Sequence, residues 1–315
     1  MNEMKFSPQI TCAYLYPITL YGYPPDIKNT VSHIAEMAGM GFSSIELEGI
    51  GASNIKYLAE HYNEIGEALI KYNCRLPVLC LVLPQLGSAN TERQQEALEW
   101  FQMGCEVARK LGAAGVLDNG PLLPLEYPVD APILRHYSES LLNNLALPDH
   151  FVWSQYFDSL VNTFRKACGI AEKNGLIYHL HPCEGSLITT TDSFLQFHDA
   201  VNCSNLFFNM DTANQLYFRD NLMLSVLRLA DKISYIHLSD NSSNRVEHLV
   251  PGDGNIHWPR FFEALRSVGF KGNFGLDIGG AESGIADIQD AYLHSAAWLQ
   301  EQIEKYSLNK EHENH

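Results

Sequence analysis

The stretch "KNGLIYHLHPCEGS" (residues 173–186) decides the fold. Lys173-Asn174-Gly175 reads as the end of a helix, because glycine readily takes the left-handed turn that closes one. Leu176–Pro182 is then a short apolar run bounded by glycine and proline, the length of a strand. Yet it carries His179 and His181, with Glu184 just beyond, where a buried strand should hold aliphatic side chains. The oddity has a meaning only if other strands end the same way.

They do. Working outward, strand-like runs occur at 10–16, 43–49, 77–84, 113–120, 176–182, 205–211, 233–240 and 272–280. Amphipathic stretches separate them, such as "WPRFFEALRSVGF", in which Phe261, Phe262, Leu265 and Val268 share one face at helical spacing. Gly41, Gly112, Gly175 and Gly269 each stop a helix just before the next strand. Eight β-then-α cycles predict a parallel sheet closed into a (β/α)8 TIM barrel, one domain over residues 1–315. A doubly wound open sheet is the competitor, but no GxGxxG follows the first strand. The proline-rich residues 121–150 interrupt the cycle after strand four and read as an inserted lid or interface segment.

Side-chain alternation sets Ile177, His179 and His181 on one face and Tyr178 and Leu180 on the other. Asn209 and Asp211 share a face of strand six, His237 lies between Ile236 and Leu238, and Asp277 between Leu276 and Ile278. Glu46 and Glu48 share a face of strand two. In an eight-stranded barrel the C-terminal strand ends converge on one mouth, where active sites lie. Glu184, Asp211, His237 and Asp277 come from four consecutive strands and are expected to meet there. Three carboxylates that close cannot all ionise without a compensating charge, and a divalent cation supplies it. With one imidazole, the set suits Mn²⁺ first, with Mg²⁺, Co²⁺ or Zn²⁺ as alternatives.

Composition narrows the function classes. The chain has 37 Asp plus Glu against 21 Lys plus Arg, a formal charge of −16. That disfavours nucleic acid and anionic membranes as partners. No apolar run approaches the ~20 residues of a membrane span. The start shows no signal-peptide pattern, and the 7 cysteines are scattered without a CxxC pair. A cytoplasmic protein is expected.

Five motifs, "IELEG", "CEGS", "NMDTAN", "YIHLSDN" and "PGDGNIHW", stand in order along the chain. Together they resemble the xylose isomerase-like barrels, annotated broadly as sugar phosphate isomerases and epimerases. The resemblance implies a metal held by residues of strands five to eight, the first three being Glu184, Asp211 and His237. At the fourth position, where keto-sugar epimerases of that family carry glutamate, this chain has Asp277 in "GLDIGG". Asn214 stands where they place a substrate-binding histidine, and His181 offers an imidazole that they do not use as base.

These departures resemble a smaller branch, the large subunit of bacterial deglycosidases acting on 3-oxo-glycosides, including C-glycosides. That resemblance implies proton removal beside a sugar ketone, β-elimination of the aglycone and a small β-rich partner subunit. A homo-oligomer is the other assembly considered. The alternative activity is a keto-sugar or sugar phosphate isomerase or epimerase; a non-catalytic sugar-binding subunit and a DNA-repair endonuclease come further behind. On the enzyme readings His181, Glu184 and Asp277 are the expected catalytic groups. Glu48, His179 and Asn214 are the expected contacts to a small sugar or glycoside. His257 and Trp258 are expected to dock a loop and start a helix.

Overall fold

The computed structural model describes residues 5–128 and 131–309. Nine strands run in chain order: β1 (Ile10–Cys12), β2 (Leu47–Ile50), β3 (Val78–Val82), β4 (Gly115–Asn119) and β5 (Ile177–His181) come first. β6 (Leu206–Phe208), β7 (Met210–Asp211), β8 (Tyr235–Leu238) and β9 (Asn273–Leu276) follow. All ladders are parallel, in the orders β2-β3-β4-β5-β6 and β1-β9-β8-β7. β6 and β7 are one barrel strand interrupted at Asn209. There the Asn209 N–H still donates to Leu180 O at 2.9 Å while its side chain reaches Tyr235 O at 3.1 Å. A bridge from Cys12 to Ile45 closes the other seam. The chain is thus the eight-stranded α/β barrel expected from its β–α rhythm.

Strand alternation sorts the side chains into two layers. Tyr178, Leu180, Phe208 and Phe274 face outward into the helices, where Phe101, Phe164, Phe194 and Phe262 are fully buried with them. Inside, Ile50, Val78, Cys80, Val82, Leu117 and Tyr235 form a separate apolar cluster that fills the barrel below its mouth. The four helix-ending glycines have φ of +67° to +99°, the left-handed region their role requires. The first strand is shorter than the sequence reading. After Cys12 the chain turns into a helix at Leu15–Tyr21 that buries Leu15, Tyr16 and Ile18.

Two long segments cover the mouth. Residues 121–150 begin by pairing with the turn after β5, through a Leu122–Ser186 bridge and a Leu123 N–H to Gly185 O bond of 3.0 Å. Apart from one short helix, Glu139–Leu142, their described part has no regular structure. The loop 239–257 is fixed by Asp240. Its fully buried carboxylate accepts from Gly252 N and Trp258 Nε1 at 2.8 Å, Asn241 N at 2.9 Å and Ile256 N at 3.1 Å. Gly254 is required here, since a Cβ would lie 2.2 Å from Asp240 Oδ1. Trp258 opens the helix Trp258–Ser267 and His257 caps it, as the sequence reading has it.

Asp240→Ala should therefore lower unfolding stability by at least about 2 kcal/mol, because it strands several buried donors at once. Urea denaturation measures it, and a change below about 0.5 kcal/mol, typical of an exposed site, contradicts the assignment.

Candidate functional site

Four side chains meet at the C-terminal mouth: His181 at the end of β5, Asp211 ending β7, His237 in β8 and Asp277 just past β9. Each offers one ligand atom, and those atoms lie within 4.8 Å of one another. All four residues are buried. His181 Nε2 donates to Asp211 Oδ2 at 3.1 Å, and Asp211 Oδ1 caps the next helix by accepting from Asn214 N at 2.7 Å. His237 Nε2 donates to Glu46 Oε2 at 3.0 Å, which turns Nδ1 toward Asp277 Oδ2, 3.8 Å away.

The Nδ1 atoms of His181 and His237 are both buried without a hydrogen-bond partner, and in His237 it is Nδ1 that faces Asp277. Two imidazoles and two carboxylates, buried together, make a donor set that fits a divalent cation. Two nitrogens and two oxygens suit Mn²⁺, Co²⁺ or Zn²⁺ better than Mg²⁺. The electrostatics agree. Burial alone would lower the His237 imidazole, but Glu46, Asp277 and Asp211 around it push it up to about 10. Burial would raise Asp211, but the His181 hydrogen bond and the nearby imidazoles hold it low. The group attracts positive charge, and a proton on His237 meets that demand in part.

Glu184, expected as a ligand, is not in this group. Pro182 ends the alternation and the chain turns over Cys183–Ser186, leaving Glu184 half-buried at the turn. Burial and the like charge of Glu139 raise its carboxyl. His181, not Glu184, is the residue from this segment that stands in the group. His179 also lies away from the mouth. Its Nδ1 is 3.2 Å from Val116 O and its Nε2 2.9 Å from Ser234 Oγ, so both nitrogens are used within the barrel. Burial lowers its pKa to about 4, a neutral structural imidazole rather than a substrate contact.

Glu48 and Asn214 line the cavity above the four-residue group. Burial, with the like charges of Glu46 and Asp277, pushes the Glu48 carboxyl up to about 8. Asn214 donates to Pro182 O at 2.9 Å, and its Oδ1 is buried without a partner.

The sequence reading missed several residues here. Glu46 accepts from His237 and, at 3.0 Å, from Tyr235 Oη; it orients the His237 imidazole as carboxylates do behind metal-bound histidines. His248, in the 239–257 loop, points Nε2 at Asp277 and Asp211, 3.6 and 4.0 Å away, and donates from Nδ1 to Glu282 at 3.0 Å. Arg135 and His136, from the 121–150 segment, bind the same Glu282. Its carboxyl is drawn far below the usual range by His136, His248 and Arg135 against its own burial.

A family model described as the xylose isomerase-like TIM barrel matches residues 34–302. The chain belongs to that family. A D-psicose 3-epimerase of Enterocloster bolteae is 25% identical over 93 residues, 30% of this chain and 29% of that protein. The match thus spans less than a third of that relative's length. An inosose dehydratase of Geobacillus kaustophilus is 23% identical over 261 residues, 76% of each chain. The crystal structure of 3-keto-D-glucoside 4-epimerase from E. coli superposes with a TM-score of 0.69, covering 93% of this chain and 99% of that one at 17% identity. That likeness shows the fold alone. Among the described residues no helix is long and apolar enough to cross a membrane.

Since His237 must lose its proton to ligate, uptake of a cation should release about one proton and tighten about tenfold per pH unit below the pKa near 10. Titrating Mn²⁺ into the metal-free protein at pH 7, 8 and 9 tests this. An affinity flat across that range contradicts it.

Proposed function

We propose that the chain is a divalent-metal-dependent enzyme that moves a proton at the carbon next to a sugar ketone, as a keto-sugar epimerase or isomerase. The observation that carries this is the buried set of two imidazoles and two carboxylates at the mouth, with Glu48 beside it on the cavity wall. A divalent ion held by His181, Asp211, His237 and Asp277 would stabilise the negative charge that develops on the ketone oxygen as the adjacent C–H bond breaks.

The chain's own groups handle the proton and the hydroxyls. Glu48, with a pKa near 8, exchanges a proton near neutral pH, the property a general acid or base needs. Asn214 Oδ1 offers an acceptor to a sugar hydroxyl. The sequence offers His181 as base or acid. Its place in the four-residue group and its contact with Asp211 suit it better to ligation, and the proton transfer passes to Glu48. The epimerase name of one sequence relative, the D-psicose 3-epimerase, favours proton exchange over elimination.

A second reading keeps the same proton removal but follows it with loss of a group β to the ketone. The inosose dehydratase match, over 76% of the chain, favours it. Water would leave on that precedent. A glycosidic aglycone would leave on the deglycosidase reading, to which a small β-rich partner subunit belongs.

Incubation of Mn²⁺-loaded protein in deuterium oxide with D-psicose, L-ribulose or a 3-keto-glucoside tests both. Epimerisation places deuterium beside the ketone with every C–O bond retained; elimination yields an unsaturated ketone. Glu48→Gln should keep its metal and lose about 10²-fold or more in exchange rate. Absence of exchange and of elimination on all three sugars would sink the proposal.

A further inference from the structure

His248 lines the cavity above the four-residue group, but it comes from a loop rather than from a strand end. Backbone bonds on either side hold it there. Its carbonyl accepts from Gly279 N at 2.9 Å, two residues past Asp277, and its neighbour Leu249 exchanges a pair of 2.9 Å bonds with Asp240. The imidazole is buried, with Nε2 3.6 Å from Asp277 Oδ2 and 4.0 Å from Asp211 Oδ2. His237 Nδ1 is 3.8 Å from that same Asp277 oxygen. His248 thus stands as near to the carboxylates as an imidazole already in the group.

The other ring nitrogen fixes where the proton lies. Nδ1 is 3.0 Å from Glu282 Oε1, and a carboxylate only accepts, so Nδ1 carries the hydrogen and Nε2 the lone pair. Arg135 Nη2 also lies 3.2 Å from Nδ1. Donation from Arg135 would instead put the proton on Nε2, where the nearer of the two carboxylates, at 3.6 Å, is beyond hydrogen-bond reach. A lone pair facing two carboxylates repels them unless a cation lies between. The spacing suits one. Imidazole nitrogen and carboxylate oxygen bind such ions at about 2.1 Å, so two ligand atoms on one ion stand about 3.0 Å apart at a right angle and at most about 4.2 Å apart when opposite. Both His248 distances fall inside that range.

We propose that His248 is a fifth ligand to the divalent cation, with Glu282 orienting it through Nδ1 as Glu46 orients His237. This rests on the metal reading above. Three imidazoles and two carboxylates lean further toward Mn²⁺, Co²⁺ or Zn²⁺ and away from Mg²⁺. A six-coordinate ion then keeps one position for a substrate oxygen rather than two. The loop 239–257 becomes part of the metal site, and Arg135 and His136 meet that site through the same Glu282.

Proton NMR of the Co²⁺-loaded protein in water is the experiment. An imidazole bound through one nitrogen carries its N–H on the other, and the paramagnetic ion moves that exchangeable signal far downfield of the rest of the spectrum. Three such signals are expected in the wild type, from His181, His237 and His248, each lost in heavy water. His248→Ala should show two, and should bind Co²⁺ about tenfold or more weaker in competition with a chromophoric chelator. Glu282→Gln should keep three, one of them displaced, and weaken binding about tenfold.

Two signals in the wild type overturn the proposal, and so does a His248→Ala variant that binds Co²⁺ as tightly as the wild type. His248 would then be a positive charge beside the carboxylates or a contact to the sugar. The wild-type count decides by itself, so a His248→Ala chain that fails to fold leaves the test intact. Failure of the metal reading looks different. Wild type and Asp211→Ala/His237→Ala would then both fail to take up Co²⁺, and no displaced signal would appear in either.

Discussion

The hydrogen bond from His237 Nε2 to the Glu46 carboxylate is the constraint on which the site depends. Glu46 sits just before β2 on the barrel interior, and its oxygens also meet Tyr235 Oη at 3.0 Å and Tyr14 N at 3.4 Å. It therefore ties β8 to the strand two segment and to the start of the first helix. An ionised carboxylate inside a barrel is costly unless it is hydrogen-bonded and faced by positive charge. Burial alone would raise it, but the His237 charge and these hydrogen bonds keep it low. The consequence is chemical. With Nε2 committed, His237 can present only Nδ1 to Asp277 and Asp211, and the mouth carries a fixed demand for a cation.

A second carboxylate organises the cover as Glu46 organises the floor. Glu282 gathers Arg135 and His136 from the 121–150 segment and His248 from the loop after β8. Both covering segments thereby end on one residue, next to the four-residue group. Glu282 thus holds the strip above the cavity and the imidazole beside Asp277 together. The Asp240 network fixes the base of the 239–257 loop.

Much of this was legible in the residues. The β–α rhythm and its glycine stops set the barrel, and strand alternation placed Asp211, His237 and Asp277 at one mouth. The failures have physical causes. His179 and His181 share a face, but two residues of strand separate them by roughly 6.6 Å along the barrel axis. Parity alone cannot tell the mouth from the interior. Glu184 is expected as a ligand from its place just past strand five and from the family resemblance, yet Pro182 turns the chain before it and leaves His181 as the last inward residue. Glu46 and Glu48 also share parity, and only depth makes one a buried support and the other a cavity wall. His248, Arg135 and Glu282 come from loops without a period, so nothing in their spacing announced that they would converge.

Metal content tests the account most directly. The protein is purified without added metal, beside Asp211→Ala/His237→Ala, and both are measured by inductively coupled plasma mass spectrometry, before and after loading with Mn²⁺ and dialysis. The expected result is about one equivalent of manganese, cobalt or zinc in the wild type, and none retained by the double variant with its fold intact by circular dichroism. A wild type that retains no metal even after loading, or a double variant that retains as much, would contradict the account at its centre.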